Sequence, residues 1–83
     1  MNNSLNMINK VDSILGVKHN YVDFSKTYSW TKSYKGKNLS FIYKNSYSDL
    51  VEMYDPSGIT RIKNDGYGIA FVDLDELSEL FTS

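Results

Sequence analysis

The groups that could do chemistry are few. His19 is the one histidine, cysteine is absent, and none of the eleven serines lies in a Gly-x-Ser-x-Gly elbow of the kind that aims a nucleophile. Without thiolates there is no disulfide framework and no cysteine metal site. Asp73, Asp75, Glu76 and Glu79 cluster near the end of the chain, but they lack the alternating ligands, central glycine and closing glutamate of a calcium loop. Acids at a helix start are expected on electrostatic grounds alone. Gly66-Tyr67-Gly68 is too short to cradle a phosphate, and no lysine follows it as a P-loop requires. His19 reads as a surface residue in a connector. The expectation is a protein with no catalytic residues, no metal and no cofactor.

What remains is a surface chemistry of rings, lysines and hydroxyls between Phe24 and Tyr47. A two-residue turn at Lys35 and Gly36 places Tyr34 opposite Lys37, and counting outward pairs Lys32 with Leu39, Trp30 with Phe41, Tyr28 with Tyr43 and Phe24 with Tyr47. All the rings then share one face, while Ser25, Thr27, Ser29, Thr31, Ser33, Ser40, Ile42 and Lys44 share the other. A slip of one residue would scatter the rings over both faces, so the alternation selects this register. The candidate partner-binding residues are Lys26, Tyr28, Lys32, Tyr34, Lys35, Lys37, Tyr43 and Lys44. Tyrosine and tryptophan are favoured anchors at protein interfaces because they bury much area with few rotatable bonds. The same rings could stack bases while the lysines meet phosphates. Arginine is nearly absent, however, and no ribonucleoprotein motif is present. A small domain also needs rings for its core. Trp30 and Phe41 are expected there, with Tyr28, Tyr34 and Tyr43 at its rim, and the available surface then shifts to the Lys35-Gly36-Lys37 turn and the Ser/Thr face.

These residues must be held by a modest scaffold. Eighty-three residues make a single domain, 1–83, which can bury only roughly 60% of its unfolded surface. At 41% hydrophobic and 23% charged residues the chain has enough apolar surface to collapse. No apolar run approaches the ~20 residues that span a bilayer and the N-terminus lacks a signal-peptide core, which predicts a cytoplasmic protein without a membrane partner. The net charge of −1 hides a split. Residues 1–47 carry seven lysines against Asp12 and Asp23, whereas 48–83 carry Arg61 and Lys63 against eight acids. Such a dipole of charge can orient a partner.

The elements follow from periodicity. Leu5, Ile8, Val11, Ile14 and Leu15 recur at helical spacing over 4–15, with Met7 and Lys10 at the margins, Asn3 or Ser4 as the cap and Gly16 as the stop. Strands are expected at 50–54 and 59–63, joined by the turn Asp55-Pro56-Ser57-Gly58, and Asn64-Asp65-Gly66 reverses the chain again. Counting registers pairs Tyr54 with Ile59, Glu52 with Arg61, Ile62 with Ile69 and Thr60 with Phe71. Val51, Met53, Ile62, Ile69 and Phe71 then point inward, and Glu52, Tyr54, Arg61, Lys63, Gly68 and Ala70 outward. Asp73 and Glu76 form a capping box ahead of a short helix with the stripe Leu74, Leu77, Leu80 and Phe81. The fold class expected is α+β: an N-terminal helix, an antiparallel meander of about five strands and a short C-terminal helix, both helices packed on one sheet face.

The function expected is a non-enzymatic protein-binding inhibitor or accessory domain that blocks a host or bacterial protein, for example a defence nuclease or a toxin, by occupying its surface. The abundance of Lys, Asn, Ser, Tyr and Ile over Arg suggests an AT-rich source such as a phage or mobile element. The alternatives are a single-stranded nucleic-acid-binding module using hairpin 24–47, and a homo-oligomer that pairs through an exposed sheet edge or the Ser/Thr face.

Overall fold

In the computed structural model, which describes residues 3–44 and 49–82 and the side chains of 6–44 and 49–81, Lys35 and Gly36 take φ of 50° and 84°. Two successive left-handed residues make a type I′ turn, whose twist matches that of the strands it joins. The flanking strands, Thr27–Tyr34 (β2) and Lys37–Lys44 (β3), pair over eight residues in the expected register, with Trp30 opposite Phe41 and Tyr28 opposite Tyr43. Phe24 lies before β2, in the turn that follows Asn20–Val22 (β1). The Phe24–Tyr47 pair falls outside the described residues, as do the side chains of Asn3, Ser4 and Leu5.

The chain forms one five-stranded antiparallel meander in the order β1-β2-β3-β4-β5, where β4 is Val51–Tyr54 and β5 is Ile69–Val72. A helix precedes it, Asn3–Leu15 (α1), and another follows, Leu74–Thr82 (α2). Met7, Ile8, Val11 and Leu15 of α1 and Leu77 of α2 are buried with the inward side chains Trp30, Leu39, Phe41, Tyr43, Val51, Met53, Ala70 and Val72 of the sheet. Phe81 of α2 meets Tyr34 and Phe41 edge-on, with centroids 5.5 and 5.9 Å apart. Both helices thus cover one face, and the other carries no helix. The capping box forms as expected: the Glu76 N–H donates to Asp73 Oδ1 at 2.9 Å and the Asp73 N–H to Glu76 Oε1 at 3.2 Å.

The number of strands agrees with the expectation, but their identities do not. Residues 59–63 form no strand, β1 supplies the fifth, and β4 pairs directly with β5 through Val51–Val72, Glu52–Phe71, Met53–Ala70 and Tyr54–Ile69. The pairs Tyr54–Ile59, Glu52–Arg61, Ile62–Ile69 and Thr60–Phe71 are therefore absent. Asp55 supplies the reason. Its buried carboxylate accepts the Ile59 N–H at 3.1 Å, the Thr60 N–H at 3.0 Å and the Thr60 hydroxyl. Those amides are taken from any ladder and the segment coils around the side chain. Arg61 follows at φ 64°, a value no strand residue adopts.

The shift also reverses the faces of β5. Ala70 and Val72 point into the core, while Phe71 is exposed and Ile69 half-buried on the helix-free side. The turn at Asp55-Pro56-Ser57-Gly58 is present, with the Gly58 N–H on the Asp55 carbonyl at 3.1 Å. The Asp55 N–H in turn reaches the Gly68 carbonyl at 2.6 Å, which draws Pro56 against Gly68. A Cβ on Gly68 would lie 2.9 Å from Pro56 Cα, and the residue has φ 84°.

Two substitutions should therefore act in opposite directions. Gly68→Ala is expected to lower the unfolding free energy by about 2 kcal/mol or more, from left-handed strain together with the Pro56 clash. Lys35→Asn, which suits the first turn position better, should raise it by roughly 0.5 kcal/mol. Urea denaturation of the two variants beside the parent measures both.

Candidate protein-binding face

The hairpin register divides the predicted binding residues between places that do not meet. Lys35 and Lys37 stand at the turn, with the Lys35 Nζ 5.3 Å from the Tyr34 ring centroid. Lys26 and Lys44 stand at the other end of the hairpin, because Thr27 pairs with Lys44. Eight-residue strands separate the two ends by roughly 25 Å. Lys32, Tyr28 and Tyr34 are half-buried on the helix side. Tyr43 is only 3% exposed beneath the helices, so it is a core residue and no partner reaches its ring. Trp30 and Phe41 are buried as well, at 1% and 0%. A base-stacking platform of Tyr28, Trp30, Phe41 and Tyr43 is accordingly not presented to solvent.

His19 is likewise not a free connector residue. Asp12, on the last turn of α1, accepts the His19 backbone N–H at 3.1 Å and the Trp30 Nε1–H at 2.7 Å on Oδ1, and faces His19 Nδ1 from Oδ2 at 2.9 Å. The imidazole stands edge-on to Tyr28 at 5.4 Å and to Trp30 at 6.3 Å. The arrangement ties the end of α1 to the connector at His19 and, through the Trp30 indole, to β2. Burial would raise the Asp12 pKa, but the Trp30 and His19 hydrogen bonds and the His19 charge outweigh it and hold it below the ordinary 3.8. At Asp55 burial acts in the same direction and is overcome by the donors of Thr60, Ile59 and Gly58. Among the described residues, no group of three His, Cys, Asp or Glu side chains could hold a metal ion.

The helix-free face is the surface left to consider. Two rows cross it, Thr31–Ser40–Tyr54–Ile69 and Asn20–Ser29–Ile42–Glu52–Phe71, with Val22, Thr27 and Lys44 below them. Ile42, Tyr54 and Phe71 are 39%, 51% and 51% exposed, and Val22 is exposed at the β1 edge. Ser40, Ile42, Glu52, Tyr54 and Ile69 line a shallow depression in it. Hydroxyls occupy the β2 side and large apolar groups the β4–β5 side, while Lys44 and Glu52 are the only charges in these rows. The Ser/Thr half was readable from the hairpin. Ile69 and Phe71 were missed because their face was counted from a strand that does not form. No family model, curated protein or solved structure matches the chain.

Both carboxylates, the half-buried Asp12 and the buried Asp55, have folded pKa values below their unfolded ones, so each adds stability that is complete above about pH 3.8 and is lost as the pH falls through the lower folded value. The two differ in tolerance to amidation. In an Asp12→Asn variant His19 can change tautomer and accept from the new amide, whereas both Asp55 oxygens face backbone N–H groups, which cannot accept. Asp55→Asn should cost about 2 kcal/mol at pH 7 and Asp12→Asn about 1 kcal/mol or less, each flattening the acid limb of the stability curve. Urea titrations between pH 7 and 2.5, read by the fluorescence of Trp30, test the order and the flattening.

Proposed function

We propose that this chain is a non-enzymatic protein-binding module that acts, as an inhibitor or accessory domain does, by occupying another protein's surface with the helix-free face of its sheet. One observation carries the reading. In a chain with 23% charged residues, a continuous sheet face leaves Ile42, Tyr54 and Phe71 exposed beside Ile69, with Lys44 and Glu52 as the sole charges among the described residues of its paired rows. Depletion of charge around exposed aromatic and aliphatic groups is the compositional mark of an interface core, and a rim of hydroxyls supplies hydrogen bonds at little desolvation cost. The partner suited to it is a protein surface that is flat and apolar at its centre and hydrogen-bonding at its margin. The basic β2–β3 turn at one end of the sheet and the acidic α2 behind it bias the approach without supplying its energy.

A photocrosslinking residue at Thr31 or Ser40 should capture one protein in cells, and the same residue at Asn9 or Ser13 on the exposed side of α1 should not. Phe71→Asp should abolish the capture. Adducts formed from α1 alone, or adducts unaffected by Phe71→Asp, would overturn the proposal.

A further inference from the structure

We infer that the occupant of the helix-free face, in the absence of another protein, is a second copy of this chain, stacked face to face about a twofold axis that runs parallel to the strands between β3 and β4. This deepens the reading of that face as the contact surface and rests on it. The argument is one of matching within a single surface. A twofold in that position exchanges the β1–β2–β3 side of one copy with the β4–β5 side of the other while keeping each row level with itself. The cross-strand registers then set Ser29 opposite Phe71, Thr31 opposite Ile69, Ser40 opposite Tyr54 and Ile42 opposite the stem of Glu52.

Three hydroxyl side chains thus meet three bulky ones, so that the low half of each sheet receives the high half of its mate. Stacked sheets need this alternation to fill the ~10 Å between them. Aligned strand directions are also preserved, as in a sandwich built from two sheets.

The charges agree with the same placement. Lys44 lies one row below Ile42 on β3, and Glu52 is the β4 neighbour of Ile42. In the stacked pair the Lys44 ammonium of each copy lies one row from the Glu52 carboxylate of the other, so the face's two charges neutralise each other across the axis, twice. A face with two like charges, or with large side chains on both halves, would have repelled its copy. Five strands at ~4.8 Å spacing with short β1, β4 and β5 bury on the order of 500 Å² a copy, below the ~800 Å² of a standard interface. The association is therefore weak and concentration-dependent, and another protein can displace it. Self-stacking would keep Ile42, Tyr54 and Phe71 from water until that protein arrives.

Sedimentation of the full chain from about 10 μM to 1 mM should show a monomer–dimer equilibrium, and Phe71→Asp should weaken it at least tenfold, with circular dichroism confirming an unchanged fold. Lys44→Glu and Glu52→Lys should each weaken it severalfold alone. An equimolar mixture of the two single variants should recover dimer, because every cross-axis contact in the mixed pair is again between opposite charges. A chain that stays monomeric at 1 mM, a dimer indifferent to Phe71→Asp, or a mixture that fails to recover would each overturn the stacked pair. Crosslinking to another protein from Thr31 in a chain that proves monomeric would overturn the self-association and leave the binding face standing. A dimer that captures nothing else would do the reverse, and the adduct at twice 9.5 kDa distinguishes the two.

Discussion

The strict alternation along β2 and β3, held in phase by the type I′ turn at Lys35-Gly36, is the constraint on which the remainder of the structure depends. Side chains in a strand alternate between faces, so a register shift of one residue would turn β3 over against β2 and put Ser40 and Ile42 beneath the helices in place of Leu39, Phe41 and Tyr43. No other element could compensate. α1 and α2 are each too short to hold themselves without an apolar floor, and Met7, Ile8, Val11, Leu15 and Leu77 find that floor only where the rings point. Fixing the inner face also fixes the outer one: with the rings of the hairpin turned inward, its hydroxyls face solvent.

Two carboxylates, the half-buried Asp12 and the buried Asp55, extend that order to segments the ladder does not reach. Asp12 gathers donors from the His19 backbone, the imidazole and the Trp30 indole, which fastens the helix end to the central hairpin. Asp55 gathers donors from Ile59 and Thr60 and lends its own amide to Gly68, so the long connection between β4 and β5 is organised from within. In both cases the group that would be expensive to bury alone is accommodated by several donors converging on it, and these convert a desolvation cost into local rigidity.

Legibility in the sequence follows the range of the forces involved. The hairpin, both helices and the Asp73–Glu76 capping box were readable because periodicity, turn chemistry and caps act within a few residues. The segment 59–63 has strand composition, Ile-Thr-Arg-Ile-Lys, and no local rule demotes it. What demotes it is a carboxylate four and five residues upstream that takes its amides. That one error carried further, because the face assigned to Ile69 and Phe71 was counted from it, and an odd displacement inverts every side chain in a strand. His19 reads differently for the opposite reason: its partners, Asp12, Tyr28 and Trp30, lie seven and more residues away and become visible only after folding. The outer face was therefore half legible, its hydroxyls evident from the hairpin and its apolar groups hidden by a miscounted strand.

The division of aromatic residues between the two sides also bears on the kind of partner proposed. A polyanion needs rings in solvent and cations beside them. Here Trp30, Phe41 and Tyr43 are buried under the helices, Tyr28 and Tyr34 are half-buried, and Lys35 and Lys37 stand at the opposite end of the hairpin from Lys26 and Lys44. The aromatic groups that reach solvent on the helix-free face, Tyr54 and Phe71, sit among hydroxyls and aliphatics with Glu52 between them. A carboxylate in the middle of the patch repels phosphate and is tolerated by a protein surface that can offer it a single cation. This is why the contact proposed for the outer face is a protein rather than a nucleic acid. Lys44, one row from Glu52 on the neighbouring strand, shows that the chain already presents the cation such a contact would require.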